Sequence, residues 1–386
     1  MKLLKFLTKH IKSLEHSDHP PMGPIIRSIK MAGMWKSEST IDKALIVQLF
    51  AVLIQVTELI ELWLIKSDLT SSIRNLSIST LSIVCVVKSG TFIVWQKDWK
   101  NIIDYVSSVE KEQQLNKEKN ANKIMNEYIK YSRRITYMYW FLTYSTVLAV
   151  IIAPLTSYLT SSEYRDMINN GSAPYPEVIS SWVPFDKSRG YGYMILVAIQ
   201  ILMVTYGGVT IATYDSNVVA LMTFFSGQLR ILKANCNMLF ERKTSYEDSI
   251  ELVRECHSHH VNLMKYTKIF DSVLSPVFAV QLTKEGTSTM EQFWIAEYLG
   301  ALITQLFLYC WHSNQVYATS LTVSEGVYMS SWWSQDTRMR KNVLILCGQL
   351  KKTVAFSAGP FTKLNIATFI AILKGSYSYY TFMNKK

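Results

Sequence analysis

The strongest constraint on this chain is a set of long apolar runs almost free of charge. From Tyr191 to Leu229 the single charged residue is Asp215, and from Ile135 to Tyr158 there is none. A bilayer core is about 30 Å thick, and a helix rising about 1.5 Å per residue crosses it with about 20 apolar residues. A soluble fold rarely has use for several such runs. Run length marks seven candidate spans: Ala44–Ile65, Leu76–Gln96, Ile135–Tyr158, one from Tyr191 toward Leu229, Ile269–Thr283, Gln292–Tyr317 and Phe361–Met383. The expected fold is all-α, a seven-transmembrane-helix bundle. The fifth span is short and interrupted by Asp271 and Pro276. It crosses with help from flanking helix, or it lacks residues that a complete span would have.

The net charge of +11 and pI near 9.2 suit a nucleic acid, an anionic surface or membrane orientation. No basic stripe interleaves with aromatics, so nucleic acid is not an expected partner. The cations cluster between alternate apolar runs instead. Lys117, Lys119, Arg133 and Arg134 precede the third span. Arg230, Lys233, Arg242, Lys243, Arg254 and Lys265 follow the fourth, and Arg338, Arg340, Lys341, Lys351 and Lys352 precede the last. The opposite side is sparse, so the positive-inside rule puts the N-terminus in the cytoplasm and the C-terminus outside. The sequon Asn170-Gly171-Ser172 then falls in an outer loop, which makes Asn170 a candidate glycosylation site. In the opening stretch Leu3, Leu4, Leu7 and Ile11 recur at helical spacing among lysines, the pattern of an interfacial amphipathic helix. Cys85, Cys236, Cys256, Cys310 and Cys347 all fall in spans or cytoplasmic segments, so no disulfide framework is expected.

No phosphate-cradling glycine loop, paired metal-binding cysteines or nucleophile elbow is present, and no cofactor or enzymatic activity is expected. The run Cys256-His257-Ser258-His259-His260 resembles a metal cluster, but consecutive helical residues point in different directions. Glu58 and Glu61 share one helical face in the outer half of the first span. They either line a water-filled vestibule or pair near the outer boundary. Lys88 and Asp215 lie in the cytoplasmic halves of their spans, where a structural salt bridge can join them. The third, fourth and sixth spans place Leu155, Tyr158, Met203, Tyr206, Trp294 and Tyr298 in their outer halves, which suits either a small-molecule pocket or ordinary packing. The last span is wet for a membrane helix, with Lys374, Ser376, Ser378 and Thr381 among tyrosines. It either lines a pore, with Phe382 able to close it by dewetting, or packs through small and hydroxyl residues.

The segment Leu373-Lys374-Gly375-Ser376-Tyr377-Ser378-Tyr379-Tyr380-Thr381 resembles the C-terminal signature of insect odorant receptors. Trp332, Trp333, Asp336, Arg338, Arg340 and Ala358-Gly359-Pro360-Phe361 look like the same family's cytoplasmic stretch before the last span. The resemblance implies a ligand-specific subunit of a ligand-gated, non-selective cation channel, forming a hetero-tetramer with the odorant receptor co-receptor in the plasma membrane of olfactory sensory neuron dendrites. It implies pore positions Tyr377, Tyr380, Thr381 and Phe382, and a subunit anchor at Trp333, Asp336, Arg338 and Arg340. It also implies a volatile-ligand pocket near Leu155, Tyr158, Met203, Tyr206 and Tyr298. The corresponding organisation is a cytoplasmic segment 1–43, membrane helices and pocket 44–317, an anchor region 318–360, and a pore helix with C-terminus 361–386. After Gln281-Leu282 this chain passes directly to Lys284-Glu285-Gly286-Thr287, where the family usually continues an apolar stretch. A gustatory-type channel of the same superfamily is the alternative, but its Thr-Tyr and Gln-Phe signature is missing. A G-protein-coupled receptor would carry Asp-Arg-Tyr and Asn-Pro-x-x-Tyr motifs, also missing.

Overall fold

The computed structural model describes residues 22–35, 43–66, 69–115, 119–170, 175–185, 187, 190–241, 245–274, 289–359 and 362–383. Along the chain these form α1 (Gly23–Met31), α2 (Lys43–Leu64), α3 (Leu69–Val94), α4 (Gln96–Leu115), α5 (Lys119–Thr160), α6 (Ser162–Asn169), α7 (Tyr191–Asn237), α8 (Tyr246–Leu274) and α9 (Thr289–Met329). A 3-10 turn at Trp332–Ser334, α10 (Thr337–Leu350), an antiparallel pair β1 (Ser357–Ala358) and β2 (Thr362–Lys363), and α11 (Ile366–Met383) complete it. Among the described residues, α2, α5 and α7 are each long and apolar enough to cross a membrane, and α3, bent by 75° from the polar α4 that follows, is a fourth only if that bent pair counts as one span. The expected N-terminal amphipathic helix and most of the short fifth span lie outside the described residues. The last span was expected from Phe361, yet the chain first forms β2, and α11 starts only at Ile366. Asn365 caps that start, its Oδ1 accepting from the Thr368 amide at 2.8 Å.

α7 is the axis of the molecule. Its 47 residues reach about 70 Å, more than twice a bilayer core. α5 and α9 pack along it, with α1, α3 and α8 against its sides. Gly326 of α9 lets the backbones touch, because a Cβ there would stand 2.3 Å from the Lys233 carbonyl oxygen. We call the end that carries the cationic segments basal and the other end distal.

The basal end is an aromatic core. At Trp95 the α3 helix breaks and α4 leaves it at 75°. Trp99, Ile102, Ile103, Val106, Ser107 and Glu110 then recur at helical spacing and bury one face of α4. Trp99 meets Phe92, Tyr214 and Phe270 with ring centroids 5.1, 6.0 and 6.2 Å apart, and Phe270 meets Phe356 beside β1 at 5.2 Å. The Phe92 contact is tilted and the other three are edge-on, a geometry that adds about 0.5–1.5 kcal/mol per pair beyond buried area. Asp271 fastens the hairpin to α8 by accepting from the Ser357 amide and hydroxyl at 2.7 and 2.8 Å.

A polar network crosses this core. The Tyr128 hydroxyl donates to Glu110 Oε1 at 2.9 Å, Gln228 and Gln113 exchange amide bonds at 2.8 and 2.9 Å, and His259 meets Gln228 at 3.1 Å. The expected scatter of the 256–260 run is seen: Cys256 and His260 face the core, while His257 is exposed. Burial pushes the fully enclosed Glu110 carboxyl up to about 8, and burial lowers the His259 imidazole to about 4. Between the ordinary carboxylate value of 4.5 and about 8 the folded chain keeps a Glu110 proton that the unfolded chain has lost. The associated stability is complete below 4.5 and is lost as pH rises through 8. Above pH 7.5 His259 is neutral folded or unfolded and adds no slope. Thermal melts of the purified protein at pH 7.5 and 8.5 are expected to show wild type losing stability, on the order of 1 kcal/mol. Glu110→Gln, which keeps the acceptor for Tyr128, is expected to flatten that slope and to exceed wild type at pH 8.5.

Candidate functional site: a distal cavity above a buried charge knot

In the middle of the bundle Lys88 of α3 and Asp215 of α7 form an ion pair at 2.7 Å, with both side chains only 2% exposed. Asp215 also accepts from Tyr139 of α5 at 2.6 Å and from Tyr309 of α9 at 2.5 Å. The Lys88 ammonium lies 5.5 Å from the Tyr214 ring centre. One carboxylate therefore joins four helices. A buried pair is stable only when its remaining hydrogen-bonding capacity is filled, and the two tyrosines fill it here.

Distal to this knot, a cavity of about 160 Å³ opens between α2, α7 and the segment 175–185. Phe50, Ile54, Leu196, Ile199 and Met203 supply apolar walls, and Glu58 and Gln200 supply polar groups. Gln200 shapes the roof: its carbonyl accepts from the Val178 amide at 3.0 Å, and its amide donates to the Ile179 carbonyl at 2.6 Å and the Ser181 hydroxyl at 3.1 Å. Lys187 pairs with Glu61 and Glu177 at 3.2 and 3.1 Å, and the Trp182 amide donates to the Thr57 carbonyl at 3.2 Å. Glu61 is thus a pairing residue at the distal boundary, while Glu58 lines the cavity.

The expected ligand residues divide. Met203 lines the cavity, Tyr206 sits one turn basal of it and half-buried, and Tyr158 is half-buried on α5. Leu155 is 54% exposed and faces outward, and the side chain of Tyr298 lies outside the described residues. Ile179, Ser181 and Val183 were not anticipated, because nothing in a loop sequence shows which helix the loop folds back onto. Gln200 left a signal, as a lone amide in an apolar run.

The other expected positions lie elsewhere. On α11, Lys374 to Ser378 are all exposed, Tyr377 by 70%. The Thr381 hydroxyl bonds back to the Tyr377 and Ser378 carbonyls, and the side chains of Tyr380 and Phe382 lie outside the described residues. At the basal end Asp336 caps α10 by accepting from the Met339 amide at 2.8 Å, and Trp333, Arg338 and Arg340 are exposed beside it. Asn170 is exposed at the end of α6. Among the described residues no group of three or more His, Cys, Asp or Glu side chains is placed to hold a metal.

These observations define a multi-pass helical membrane protein with a cavity of about 160 Å³ in its distal half, and the comparisons specify it. The sequence pattern of the 7tm odorant receptor family matches residues 68–377, and the chain belongs to that family. It is a family of receptors rather than enzymes. The chain is 22% identical to odorant receptor 46a, isoform A, of Drosophila melanogaster over 224 residues, 54% of this chain and 59% of that one. It is 26% identical to the Drosophila odorant receptor coreceptor over 104 residues, 27% and 21% of the two chains. The aligned stretches span 39–59% of the length of the first four curated relatives. The fold is similar to that of the olfactory receptor OR5 from Machilis hrabei, with a TM-score of 0.74 at 14% identity over 98% of both chains. The same receptor in complex with eugenol matches with a TM-score of 0.68 at 13% identity, covering 94% of this chain and 96% of that one.

The charge knot makes a direct prediction. Tyr139→Phe keeps the ring and deletes one donor to Asp215, and a hydrogen bond to a charged group contributes about 1.5–3 kcal/mol. Thermal melts are expected to drop by that amount for Tyr139→Phe. Tyr144→Phe, in a half-exposed site on the same helix, is expected to leave the melt unchanged.

Proposed function

We propose that the chain is the ligand-specific subunit of an odorant-gated, non-selective cation channel that assembles with the odorant receptor co-receptor. It takes up volatile small molecules at the distal end of the bundle, around Leu155, Tyr158, Met203, Tyr206 and Tyr298. It spans the plasma membrane of olfactory sensory neuron dendrites seven times, with segment 1–43 in the cytoplasm, the C-terminus outside and Asn170 open to glycosylation. Ligand binding shifts a closed–open equilibrium by its differential affinity for the two states.

The observation that carries this reading is α11. Five consecutive exposed residues, Lys374 to Ser378, cover every side of a helix, so its end is not enclosed by its own bundle. A lysine and two serines there suit water more than lipid. Such a helix gains surroundings when several copies meet around an axis, which supports residues 361–386 as the pore helix, with Tyr377, Tyr380, Thr381 and Phe382 along the ion path. The basal end supports the assembly. Tyr328, Met329, Trp333, Leu344 and Ile345 are large, exposed and close in sequence to Arg338 and Arg340. Large apolar side chains exposed among charged neighbours suit a protein interface, which fits region 318–360 as the subunit anchor around Trp333, Asp336, Arg338 and Arg340. The match to the Drosophila coreceptor supports the same partner class.

Co-expression with the co-receptor is expected to give odorant-evoked cation current within milliseconds and without added GTP. Leu344→Asp, 73% exposed in the single chain, is expected to leave the chain folded but to cut its co-purification with the co-receptor several-fold. Undiminished co-purification removes the anchor assignment. An N-terminal epitope stained on intact cells removes the orientation and the channel reading with it.

A further inference from the structure

Glu58 is a carboxyl group where a membrane helix tolerates one least. It is 2% exposed, on α2, at the floor of a cavity whose walls are otherwise mainly apolar. Its Oε1 accepts from the Ser82 hydroxyl at 3.1 Å, and its Oε2 has no hydrogen-bond partner. Gln55 Oε1, one turn away on α2 and outside the cavity lining, shares that condition. Among the described residues, Lys187 is held by Glu61 and Glu177 and Lys88 by Asp215. Among the ion pairs of the described residues, none includes Glu58. A buried carboxyl oxygen with no partner at the wall of a mainly apolar cavity is costly, and such a group points to a missing donor.

We propose that this cavity binds a small primary ammonium compound, with Glu58 as its counter-ion. An alkylamine is protonated at neutral pH, as lysine is with its value near 10.4, and offers three N–H donors. One of those donors matches Glu58 Oε2, and the Thr57 and Ser181 hydroxyl oxygens of the same lining can accept others. The hydrocarbon part lies among Phe50, Ile54, Leu196, Ile199 and Met203. The volume limits its size: an apolar cavity of about 150 Å³ in another protein holds benzene, so about 160 Å³ here suits a five- or six-carbon group. A ketone or ester of that size brings no donor, and a hydrocarbon leaves the carboxyl unpaired. Phe50 stands 42% exposed at the rim, beside the exposed Leu49 and Leu53 of the same helix, which gives an entry from the bilayer side. The site stands on this cavity alone and does not require that the chain conduct ions.

Binding to the purified full chain in lipid nanodiscs, read by calorimetry and by thermal shift, tests this with cyclopentylamine, cyclopentanone and methylcyclopentane. The amine is expected to bind at least about tenfold more tightly than either neutral compound, the value of a hydrogen bond to a charged group. Glu58→Gln is expected to remove that advantage while methylcyclopentane binds as before. Ile199→Trp, which fills the cavity and keeps the carboxyl, is expected to abolish binding of all three. Equal affinity for amine and ketone, an amine affinity unchanged in Glu58→Gln, or amine binding that survives Ile199→Trp each overturns the proposal. No channel current enters these readouts, so a silent channel with intact amine binding would count against the proposed function alone.

Discussion

The arrangement of this bundle depends on one buried carboxylate. Asp215 sits near the middle of the axial helix and holds Lys88, Tyr139 and Tyr309, one from each of three flanking helices. Apolar helices in lipid have little hydrophobic reason to choose one register over another, because lipid tails are as apolar as leucine. A charge that must be paired gives them such a reason. With Lys88 removed, Asp215 would remain buried and uncompensated, so the pairing fixes how far each helix is inserted relative to α7.

That fixed register sets the two functional ends. On the distal side Leu196, Gln200 and Met203 of α7 and Phe50, Ile54 and Glu58 of α2 line one cavity, and Gln200 holds the 175–185 segment over it. On the basal side the same helices run past a bilayer's thickness into an aromatic core, where Trp99 and Phe270 tie the α3–α4 bend and α8 to α7. α11 meets this scaffold mainly through α9, with Phe369 edge-on to Phe307 at 5.5 Å.

Much of this was legible in the sequence, where a local property carried it. Uncharged runs located the long helices, because desolvation acts residue by residue. Lys88 and Asp215 were recognisable as partners, since each charge in the same half of a membrane needs the other. The tyrosines completing the knot were not, as nothing local separates Tyr139 and Tyr309 from the other tyrosines of their helices. The bend at Trp95 carries no proline or glycine, so no local signal marks it, and Trp99 just beyond it is fully buried. Gly359-Pro360 before the last helix is turn chemistry, yet apolar Phe361 drew the expected span five residues too far toward the N-terminus. The ligand residues were the least legible: Met203 faces the cavity, but Leu155 lies on the outward side of α5. Half a helix turn separates those outcomes, and spacing alone does not fix which face meets lipid.

The most direct measurement is a double-mutant cycle on Lys88→Met and Asp215→Asn, read as thermal stability of the purified protein. If the pair sets the register, each single change is expected to cost about 3–5 kcal/mol and the double change clearly less than their sum, a coupling of about 1–3 kcal/mol. Additive losses, or single changes that leave the melt where it was, would mean that the bundle holds its register by apolar packing and would contradict the account.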